Sequence, residues 1–303
     1  MTAKIVVVGS FNADLTSYME RMPRPGETVH GRKFVTGPGG KGSNQAVAAA
    51  RPGAEVTFIG RIGQDLFGDM ALNMWEQEGI NTRFVVRDPD RATGVAPIFV
   101  DDTGENSIVV VLGANLNIKS ADIDAAAAVI AQADVLLIQL EINPDMVAYA
   151  LKTAKASGIR TILNPAPATQ LPAEVITLAD FITPNETELE VLSRQTGQSI
   201  EAAARSLFTA DNQTVVVTLG AKGARYIRSN TSEFVPTYPV KVVDTTGAGD
   251  AFNGGLAVAL AEGQDLAAAV DFANATAALC VTRLGTAPSM PHRDEVETLL
   301  KSR

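Results

Sequence analysis

The stretch Lys241-Val242-Val243-Asp244-Thr245-Thr246-Gly247-Ala248-Gly249-Asp250 combines a β-branched run, two glycines and an acid. It leads into the apolar run 251–260, so it predicts a strand, a glycine turn and a helix that ends near Gly263. Backbone N–H groups at such a helix N-terminus lack partners within the helix and lie at the positive end of its dipole, which suits an anion such as phosphate. Asp250 is then either a base for an attacking hydroxyl or a residue that caps the helix, and these residues alone leave both open.

Composition narrows the class of protein. The chain has 303 residues, 46% of them apolar, which is enough for one large α/β domain or two small ones. Its apolar runs are shorter than the roughly 18–20 residues of a membrane helix, and the run at 5–8 is too short for a signal-peptide core. The single cysteine, Cys280, fits a reducing compartment, and the net charge of −9 disfavours nucleic acid or an anionic membrane as a partner. The sequence therefore predicts a cytoplasmic protein.

Histidine is scarce, and this restricts the chemistry. Only His30 and His292 are present, so a two-histidine zinc motif is excluded by spacing. A Ser-His-Asp or Cys-His arrangement would have to use one of these two residues, and neither lies in a motif. Carboxylates, lysines, amides and backbone groups must carry the chemistry.

Strand-like apolar runs alternate with helical patterns along the chain. The predicted strands are 5–8, 56–59, 135–140, 161–163, 181–183 and 214–219, and the predicted helices are 44–50, 66–78, 144–156 and 186–195. The region 248–301 is mostly helical. Continuous Val/Ile/Leu strands indicate a parallel sheet covered by helices on both faces. With no linker or composition break, residues 1–303 are predicted to form a single domain.

Two segments, 13–36 and 93–111, have the two-residue period of exposed strands. The second contains the turn Asp101-Asp102-Thr103-Gly104 and is predicted to be a hairpin. A small sheet of this kind is marginally stable alone, so its apolar face needs a bound substrate or a second subunit. The alternative is a hairpin at the edge of the main sheet.

The glycine-rich segment Gly37-Pro38-Gly39-Gly40-Lys41-Gly42-Ser43-Asn44 satisfies the pattern G-x-G-x-x-G. A dinucleotide site would require an acid after the next strand, but that strand ends at Arg61, and the segment does not follow the first strand. Lys41 is followed by glycine, so the segment is not a Walker A loop either.

Polar residues follow several predicted strands, where α/β sheets place their ligands. Asn12 and Asp14 follow the first strand and suit vicinal hydroxyls, although both residue types also form turns. Glu141 directly follows 135–140. Asn185 with Glu188 is the pattern of a capping box, and a helix N-terminus is also where phosphates bind.

Several of these motifs occur in the order and spacing of one family. Asp-Thr-Thr-Gly-Ala-Gly-Asp at 244–250, the glycine segment, Asn12-x-Asp14, Asn-x-x-Glu at 185–188 and Thr-Leu-Gly-x-x-Gly at 218–223 together resemble the ribokinase (PfkB-type) carbohydrate kinase family over the whole chain. The resemblance implies a three-layer α/β/α sandwich with a mostly parallel central sheet. It also implies a small β-sheet lid that covers the sugar and pairs with a second lid in a homodimer.

The resemblance further implies roles for individual residues. Asp250 would be the catalytic base, with Gly247, Ala248 and Gly249 holding charge on the migrating phosphoryl group. The implied sugar contacts are Asn12, Asp14, Gly40, Lys41, Gly42, Ser43, Asn44, Glu141 and Asp250. The implied ATP contacts are Asn185, Thr218, Leu219, Gly220, Ala221, Lys222, Gly223, Gly249 and Asn274. Glu188 would order Mg²⁺ through water, and a monovalent cation, usually K⁺, would be held largely by backbone carbonyls around Asp244, Thr246, Cys280, Arg283, Gly285 and Ser289.

The implied activity is ATP-dependent phosphorylation of D-ribose at its 5-hydroxyl. Within the family, a 2-deoxyribose kinase is the first alternative and another sugar or nucleoside kinase the next. A sugar- or nucleotide-binding sensor on the same fold is the non-enzymatic alternative, and Asp250 argues against it because a sensor needs no base. Arg61 disfavours a nicotinamide oxidoreductase.

Overall fold

Strands and helices alternate along most of the chain in the computed structural model, which describes residues 2–302. The strands are β1 Lys4–Val8, β2 Asn12–Met19, β3 Gly31–Gly39, β4 Glu55–Gly63, β5 Asn81–Asp88, β6 Gly94–Val100, β7 Asn106–Ile108, β8 Val135–Ile138, β9 Arg160–Leu163, β10 Phe181–Ile182, β11 Thr214–Thr218, β12 Gly223–Ile227 and β13 Ser232–Pro236. The helices are α1 Lys41–Ala50, α2 Leu66–Gln77, α3 Ser120–Ala125, α4 Ala127–Ile130, α5 Pro144–Ala156, α6 Ala173–Ile176, α7 Glu186–Ser193, α8 Ile200–Arg205, α9 Ala248–Ala261, α10 Leu266–Cys280 and α11 Arg293–Leu300. Short 3₁₀ turns lie at Gly113–Asn117, Gly220–Lys222 and Ala287–Ser289. None of the helices within 2–302 is both long and apolar enough to cross a membrane.

The main sheet has the strand order β13-β12-β11-β10-β9-β8-β1-β4-β5. Its strands are parallel from β5 to β11, and β12 and β13 are added antiparallel at one edge. Val7 and Leu137 pack on one face with α1, α9 and α10, while Val6 and Leu136 pack on the other face with α5. The predicted three-layer sandwich with a mostly parallel central sheet is confirmed.

A second sheet, which we call the lid sheet, consists of β2, β3, β6 and β7 in the order β3-β2-β6-β7. β6 and β7 form the predicted hairpin around residues 101–104, and β2 pairs with β6 in parallel. The predicted segments 13–36 and 93–111 therefore fall in one small sheet, separate from the main one. The alternative, a hairpin at the edge of the main sheet, is wrong.

The local predictions fail in several places. Helix α9 begins at Ala248 rather than at 251, and helices α3, α4, α6 and α8 were not predicted. Residues 241–243 are not a strand, because the N–H groups of Val243 and Asp244 both donate to the carbonyl of Val281 instead of to a strand neighbour (2.8 and 3.2 Å). Helix α1 begins at Lys41, three residues before the prediction, after Gly40 turns the chain at φ 89°. Strands β5, β12 and β13 were not predicted, since they lie at or beside the edges of the main sheet and carry mixed polar and apolar residues.

Glycines allow α1 to lie close to both β1 and α9. A Cβ at Gly42 would come within 2.7 Å of the Cα of Gly9, at the end of β1. A Cβ at Gly254 would come within 2.4 Å of the Ala48 Cβ, so a larger residue there would push α9 away from α1. The first turns of α1 and α9 are thereby held next to each other.

Arg61, at the end of β4, is the centre of a buried ion-pair cluster. Its guanidinium donates to Asp88 at 3.0 Å and, through two nitrogens, to Asp122 at 2.7 and 2.9 Å. The three side chains are 9%, 0% and 8% exposed. Burial alone would raise the pKa of Asp88, but hydrogen bonds from the Asp90 N–H, Asn117 and Arg61 lower it to about 2. Arg61 therefore ties β4, β5 and α3 together.

We expect Arg61→Met to lower the free energy of unfolding by about 3–5 kcal/mol, because it leaves two buried carboxylates without their cation. Arg87→Met is the matched control, since Arg87 pairs with Asp69 on the surface, where the side chains are 39% and 53% exposed. That change should cost about 0–1 kcal/mol. Denaturant unfolding of the two variants measures the difference, and equal losses would contradict a structural role for the buried cluster.

Candidate active site

Asp250 lies in the first turn of α9, at the carboxyl edge of the main sheet, and is 7% exposed. Its two carboxylate oxygens accept hydrogen bonds from consecutive residues of α1. The Asn44 amide donates to Oδ2 and the Gln45 amide donates to Oδ1, each at 2.9 Å. The carboxylate is thus held by side chains about 205 positions away in the chain rather than by its own helix, which argues against a simple capping role.

The N-terminus of α9 borders a polar cavity of about 180 Å³. The N-cap residue of α9 is Gly247, in the left-handed region at φ 80°, which glycine adopts without strain. The cavity is lined by Lys41, Asn164, Ala166, Thr183, Asn185, Glu188, Thr218, Thr245, Gly247, Ala248, Gly249, Asp250 and Asn253. A helix N-terminus and a lysine in one cavity provide the charge that a phosphoryl group needs.

Lys41 keeps its charge in this cavity. Burial lowers the pKa of its ammonium group, but the charges of Asp250, Glu141 and Glu188 outweigh burial and raise the pKa overall. The cation is therefore stabilised by the carboxylates that surround it.

Glu141 organises the loops that follow β1 and β3. Its Oε2 accepts hydrogen bonds from the Ser10 hydroxyl (2.6 Å), the Asn12 amide (3.1 Å) and the Lys41 N–H (3.0 Å). The side-chain oxygen of Asn12 accepts a hydrogen bond from the Asn115 amide at 2.9 Å. The structure thus brings the predicted residues Asn12 and Glu141 together, with the Asn12 amide and the Glu141 Oε2 already hydrogen-bonded inside the protein. The Ser43 hydroxyl likewise accepts from the indole of buried Trp75 (3.0 Å) rather than facing the cavity.

Asp14, on β2 of the lid sheet, faces Thr286 of the C-terminal region. The Thr286 hydroxyl donates to the Pro38 carbonyl at 2.9 Å and lies 3.4 Å from the Asp14 carboxylate. Burial, together with the charges of Glu141 and Asp250, raises the pKa of Asp14 to about 6 against the opposing effect of the Thr286 hydroxyl. Asp14 is therefore a carboxylate whose charge is poorly compensated.

The other acceptor in this region is the side-chain carbonyl of Asn44. Its Oδ1 is buried and has no hydrogen-bond partner within residues 2–302. A buried acceptor of this kind is costly unless a donor from a ligand reaches it.

A second cavity, of about 320 Å³, adjoins the polar one and shares Thr218, Thr245, Ala248 and Gly249 with it. Its other lining residues are mostly apolar: Gly220, Ala221, Gly223, Thr237, Tyr238, Pro239, Val240, Val242, Phe252, Asn274, Ala277, Ala278 and Val281. Of the predicted ATP contacts, Leu219 and Lys222 lie outside both linings, and the Leu219 side chain is part of the core. The Asn274 amide donates to the carbonyls of Val235 and Pro236, which leaves its oxygen for other partners.

Asn185 and Glu188 form the predicted capping box of α7. The Glu188 N–H donates to the Asn185 side chain at 2.8 Å, and the Asn185 N–H donates to the Glu188 carboxylate at 2.9 Å. Both residues also line the polar cavity, where burial raises the pKa of Glu188. The capping reading is confirmed, and it places a carboxylate beside the N-terminus of α9.

The residues predicted for a monovalent cation join two loops. The Asp244 carboxylate accepts from the N–H groups of Thr246 (2.9 Å) and Gly285 (3.1 Å). Cys280 is fully buried, 3.0 Å from the Ser289 hydroxyl, and burial raises the pKa of its thiol to about 11. The Arg283 side chain pairs with Glu295 instead. Among the residues described, no three His, Cys, Asp or Glu side chains converge as a metal-binding group.

Four residues of this region were missed by sequence reasoning: Gln45, Asn164, Asn253 and Thr286. Asn164 follows β9 and could have been found by the strand-end rule that selected Asn12. Asn253 lies one turn after Gly249 and donates to its carbonyl at 2.8 Å. Gln45 is adjacent to a predicted contact, whereas nothing local marks Thr286, whose partners come from the lid sheet.

The family model for pfkB family carbohydrate kinases matches residues 2–293. The ribokinase of Haemophilus influenzae is 42% identical over 304 residues, with 99% of each chain covered. The deoxyribokinase of Salmonella typhimurium is 40% identical over 300 residues, with 98% of each chain covered. Among solved structures, an Arabidopsis thaliana ribokinase complexed with ribose and ATP superposes with a TM-score of 0.91 at 33% identity, covering 99% of each chain.

The match extends over nearly the whole chain, in both sequence and fold. A cavity at the N-terminus of α9 and a buried carboxylate beside it are parts that phosphoryl transfer to a hydroxyl requires. The chain belongs to the pfkB family of carbohydrate kinases and is a phosphotransferase that acts on an alcohol group.

Proposed function

We propose that this enzyme is a ribokinase, which transfers the γ-phosphoryl group of ATP to the 5-hydroxyl of D-ribose and releases ribose 5-phosphate and ADP. Relatives named ribokinase at 42–43% identity support the sugar, as does the similarity to the structure with ribose and ATP. The observation that carries the proposal is the position of Asp250. It lies at the border between a phosphate-sized polar cavity and a group of side chains suited to hydroxyls.

In this proposal the oxygen of the 5-hydroxyl attacks the γ-phosphorus while Asp250 accepts the hydroxyl proton. The bond between the γ-phosphorus and the oxygen that leaves with ADP breaks. The backbone N–H groups of Gly247 and Gly249 stabilise the charge on the migrating group, together with that of Ala248, which also donates to the Thr245 carbonyl at 3.3 Å. Lys41, which lines the same cavity, adds a positive charge. Asn44 and Gln45 keep the carboxylate in place during the transfer.

Sugar recognition rests on two acceptors that are poorly satisfied in the protein alone. Asp14 has a raised pKa, and the Asn44 carbonyl oxygen has its buried lone pairs unused by the described residues. Vicinal hydroxyls of a pentose would donate to both. Asn12 and Glu141 contribute by fixing the loops around them. Gly40 and Gly42 allow their own backbone to lie close to residues 9–12, which follow β1.

ATP fits the two adjoining cavities, with its phosphates at the N-terminus of α9 and its base in the larger apolar cavity. Glu188 fits a water-mediated contact to Mg²⁺, since its carboxylate lines the polar cavity beside that of Asp250 and a cation would lower its raised pKa. When bound, the ion supplies charge neutralisation for the phosphates. A location in the cytoplasm suits the use of ATP as a substrate. It also suits Cys280, which is buried and free.

A monovalent cation such as K⁺ would lie where the Asp244 loop meets the loop of Gly285. One carboxylate and the carbonyls of two loops are the hard oxygen donors such an ion takes. When bound, it supplies rigidity to the turn that precedes Gly247. Activity should then be higher in K⁺ than in a non-binding organic cation at equal ionic strength.

A 2-deoxyribose kinase is the second candidate, and the Salmonella typhimurium deoxyribokinase at 40% identity favours it. The two candidates share fold and mechanism, so only the contacts to the sugar 2-hydroxyl separate them.

The lid sheet is proposed to pair with its copy in a homodimer. By strand register, one face of the sheet carries the exposed side chains of Phe34 (62% exposed), Val109 (57%) and Val111 (52%). The opposite face, which also carries Asp14, has Val35 (39%) and Ile108 (50%). Apolar side chains exposed on both faces of a thin sheet are stabilised when other surfaces cover them.

Replacement of Asp250 by asparagine should lower kcat about 10²–10⁴-fold while ATP and ribose still bind, because the amide holds the position but cannot take the proton. Steady-state kinetics and calorimetric titration of both ligands measure this. A kcat that stays within about fivefold of wild type would show that Asp250 is not the base.

Ribose should be preferred over 2-deoxyribose by about 5- to 150-fold in kcat/KM, because a missing 2-hydroxyl leaves an acceptor unpaired at about 1–3 kcal/mol. Asp14→Ala should reduce both the rate and this preference. A preference of the wild-type enzyme for 2-deoxyribose would overturn the ribose assignment and leave the kinase mechanism intact.

The same carboxylate predicts a pH dependence. With a pKa of about 6, Asp14 is protonated and a poorer acceptor below that pH, so kcat/KM for ribose should fall as the pH drops through about 6. The groups that face Asp14 are Glu141, Asp250 and the Thr286 hydroxyl. In Asp14→Ala this part of the pH profile should flatten, and an unchanged profile would assign it to one of the other carboxylates.

Phe34→Asp should convert a dimer to a monomer, since a charge would be buried in the paired lids. Phe234→Asp is the control, because Phe234 is 45% exposed on an edge strand of the main sheet. Sedimentation at micromolar protein distinguishes the two. A wild-type enzyme that is monomeric and fully active there would rule out the lid pairing.

A further inference from the structure

We propose that Gln45, itself held by Gln139, is a positioning residue that orients the Asp250 carboxylate for proton transfer. The proposal rests on the role of Asp250 given above and extends it to two glutamines that do not touch the reacting atoms. Gln45 lies on α1, and Gln139 directly follows β8.

Every polar atom of the Gln45 amide is used. Its nitrogen donates to Asp250 Oδ1 at 2.9 Å and to Asn164 Oδ1 at 3.0 Å, and its oxygen accepts from the Gln139 nitrogen at 2.5 Å. Gln45 is fully buried, so water does not compete for these bonds. Asn164 is fixed in turn, because its amide donates to the Thr183 carbonyl at 3.0 Å.

The Asp250 carboxylate decides which way each amide of this hydrogen-bonded chain faces. Ionised Asp250 can only accept, so the Gln45 nitrogen must face it and the Gln45 oxygen must face Gln139. Gln139 must then present its nitrogen to Gln45. Turning either amide over would place two oxygens against each other.

With the amides oriented in this way, the oxygen of Gln139 has no hydrogen-bond partner among the described residues, which lowers the stability of the fold. Gln139 Oε1 is one of the two buried side-chain polar atoms within 2–302 that have no hydrogen-bond partner. It packs against the backbone of Gly9, where a Cβ would come within 2.4 Å of it. Buried acceptors without partners are rare because they destabilise the fold, and those that occur call for an explanation. Holding Gln45 is the use of Gln139 that offsets this cost.

The second unpartnered atom, Asn44 Oδ1, belongs to the same group of side chains. Asn44 and Gln45 each donate to a different oxygen of Asp250, so together they fix the plane of the carboxylate. Rate is sensitive to such alignment, since a displacement of about 1 Å can cost roughly 10²-fold. Loss of one amide would leave the carboxylate free to rotate about its χ2 bond.

The test uses near-isosteric substitutions. Gln45→Met should lower kcat about 10- to 100-fold and leave KM for ribose and ATP within about threefold, because the interaction matters in the transition state rather than in binding. Gln139→Met should lower kcat about three- to tenfold with little change in Tm, since it removes the unpartnered oxygen of Gln139 but leaves the Gln45 oxygen without its donor. A purely structural role predicts the opposite pattern, with Tm lowered and kcat retained.

Gln213→Met is the matched control. Gln213 is also buried, and its amide makes hydrogen bonds to Thr209 and to the carbonyls of Ile176 and Ala179, with every polar atom satisfied. This change should lower Tm and leave kcat within about twofold. The control therefore has the reverse pattern to Gln139→Met.

A double-mutant cycle decides whether Gln139 acts through Gln45. In the Gln45→Met background, Gln139→Met should cause no further loss of kcat. Equal losses in both backgrounds would overturn the proposal, as would Gln45→Met with kcat within twofold of wild type. If Gln45→Met does not fold, Gln139→Met still decides, since a lowered Tm with retained kcat would overturn it. A wild-type enzyme inactive on ribose, or an active Asp250→Asn, would instead refute the proposed function.

Discussion

The close approach of α1 to both β1 and α9 is the constraint on which the site depends. Asp250 and the two amides that donate to it lie 205 or 206 positions apart, so their contact exists only if the first turns of the two helices are side by side. Glycine at 42 and 254 makes this spacing sterically available. Larger residues would separate the helices, and the carboxylate would lose its partners before any substrate contact was changed.

The second constraint is electrostatic. Burial and the charges of Glu141 and Asp250 raise the pKa of Asp14, and burial and the charge of Asp250 raise that of Glu188. Among the described residues, Lys41 is the only lysine or arginine that lines the polar cavity, and its charge opposes the shift of Glu188. The raised pKa values of Asp14 and Glu188 show that the protein alone does not fully stabilise their charges. Hydroxyl donors and a cation would do so, and ligand binding is then favoured by the same groups that destabilise the empty site.

The sequence predicted most of what local chemistry determines. The glycine turn at Gly247, the position of Glu141 shortly after β8 and the capping box at Asn185 follow from backbone and side-chain preferences. Asp14 was expected in a loop after the first strand, but it lies within β2 of the lid sheet. The sequence could not predict Thr286, whose hydroxyl bonds to Pro38 across 248 positions. Nor could it show that Asn12 and Glu141 bond to each other, since strand order decides which loops meet.

The wrong strand prediction at 241–243 and the glycine pattern at 37–42 both show that the position of a segment relative to the sheets decides its structure and function. Val242 and Val243 have high strand propensity, yet they are 55% and 51% exposed because the main sheet ends at β13 and offers them no neighbour. The glycine pattern matches a dinucleotide fingerprint, yet it spans the end of β3 in the lid sheet and the start of α1, and it does not follow a strand of the main sheet. Its backbone therefore faces the loops of Asn12 and Glu141 instead of a pyrophosphate. Arg61 stands at the position where that fingerprint needs an acid, and it forms ion pairs with two buried aspartates. A motif acquires its function from the strand that precedes it and the edge at which that strand ends.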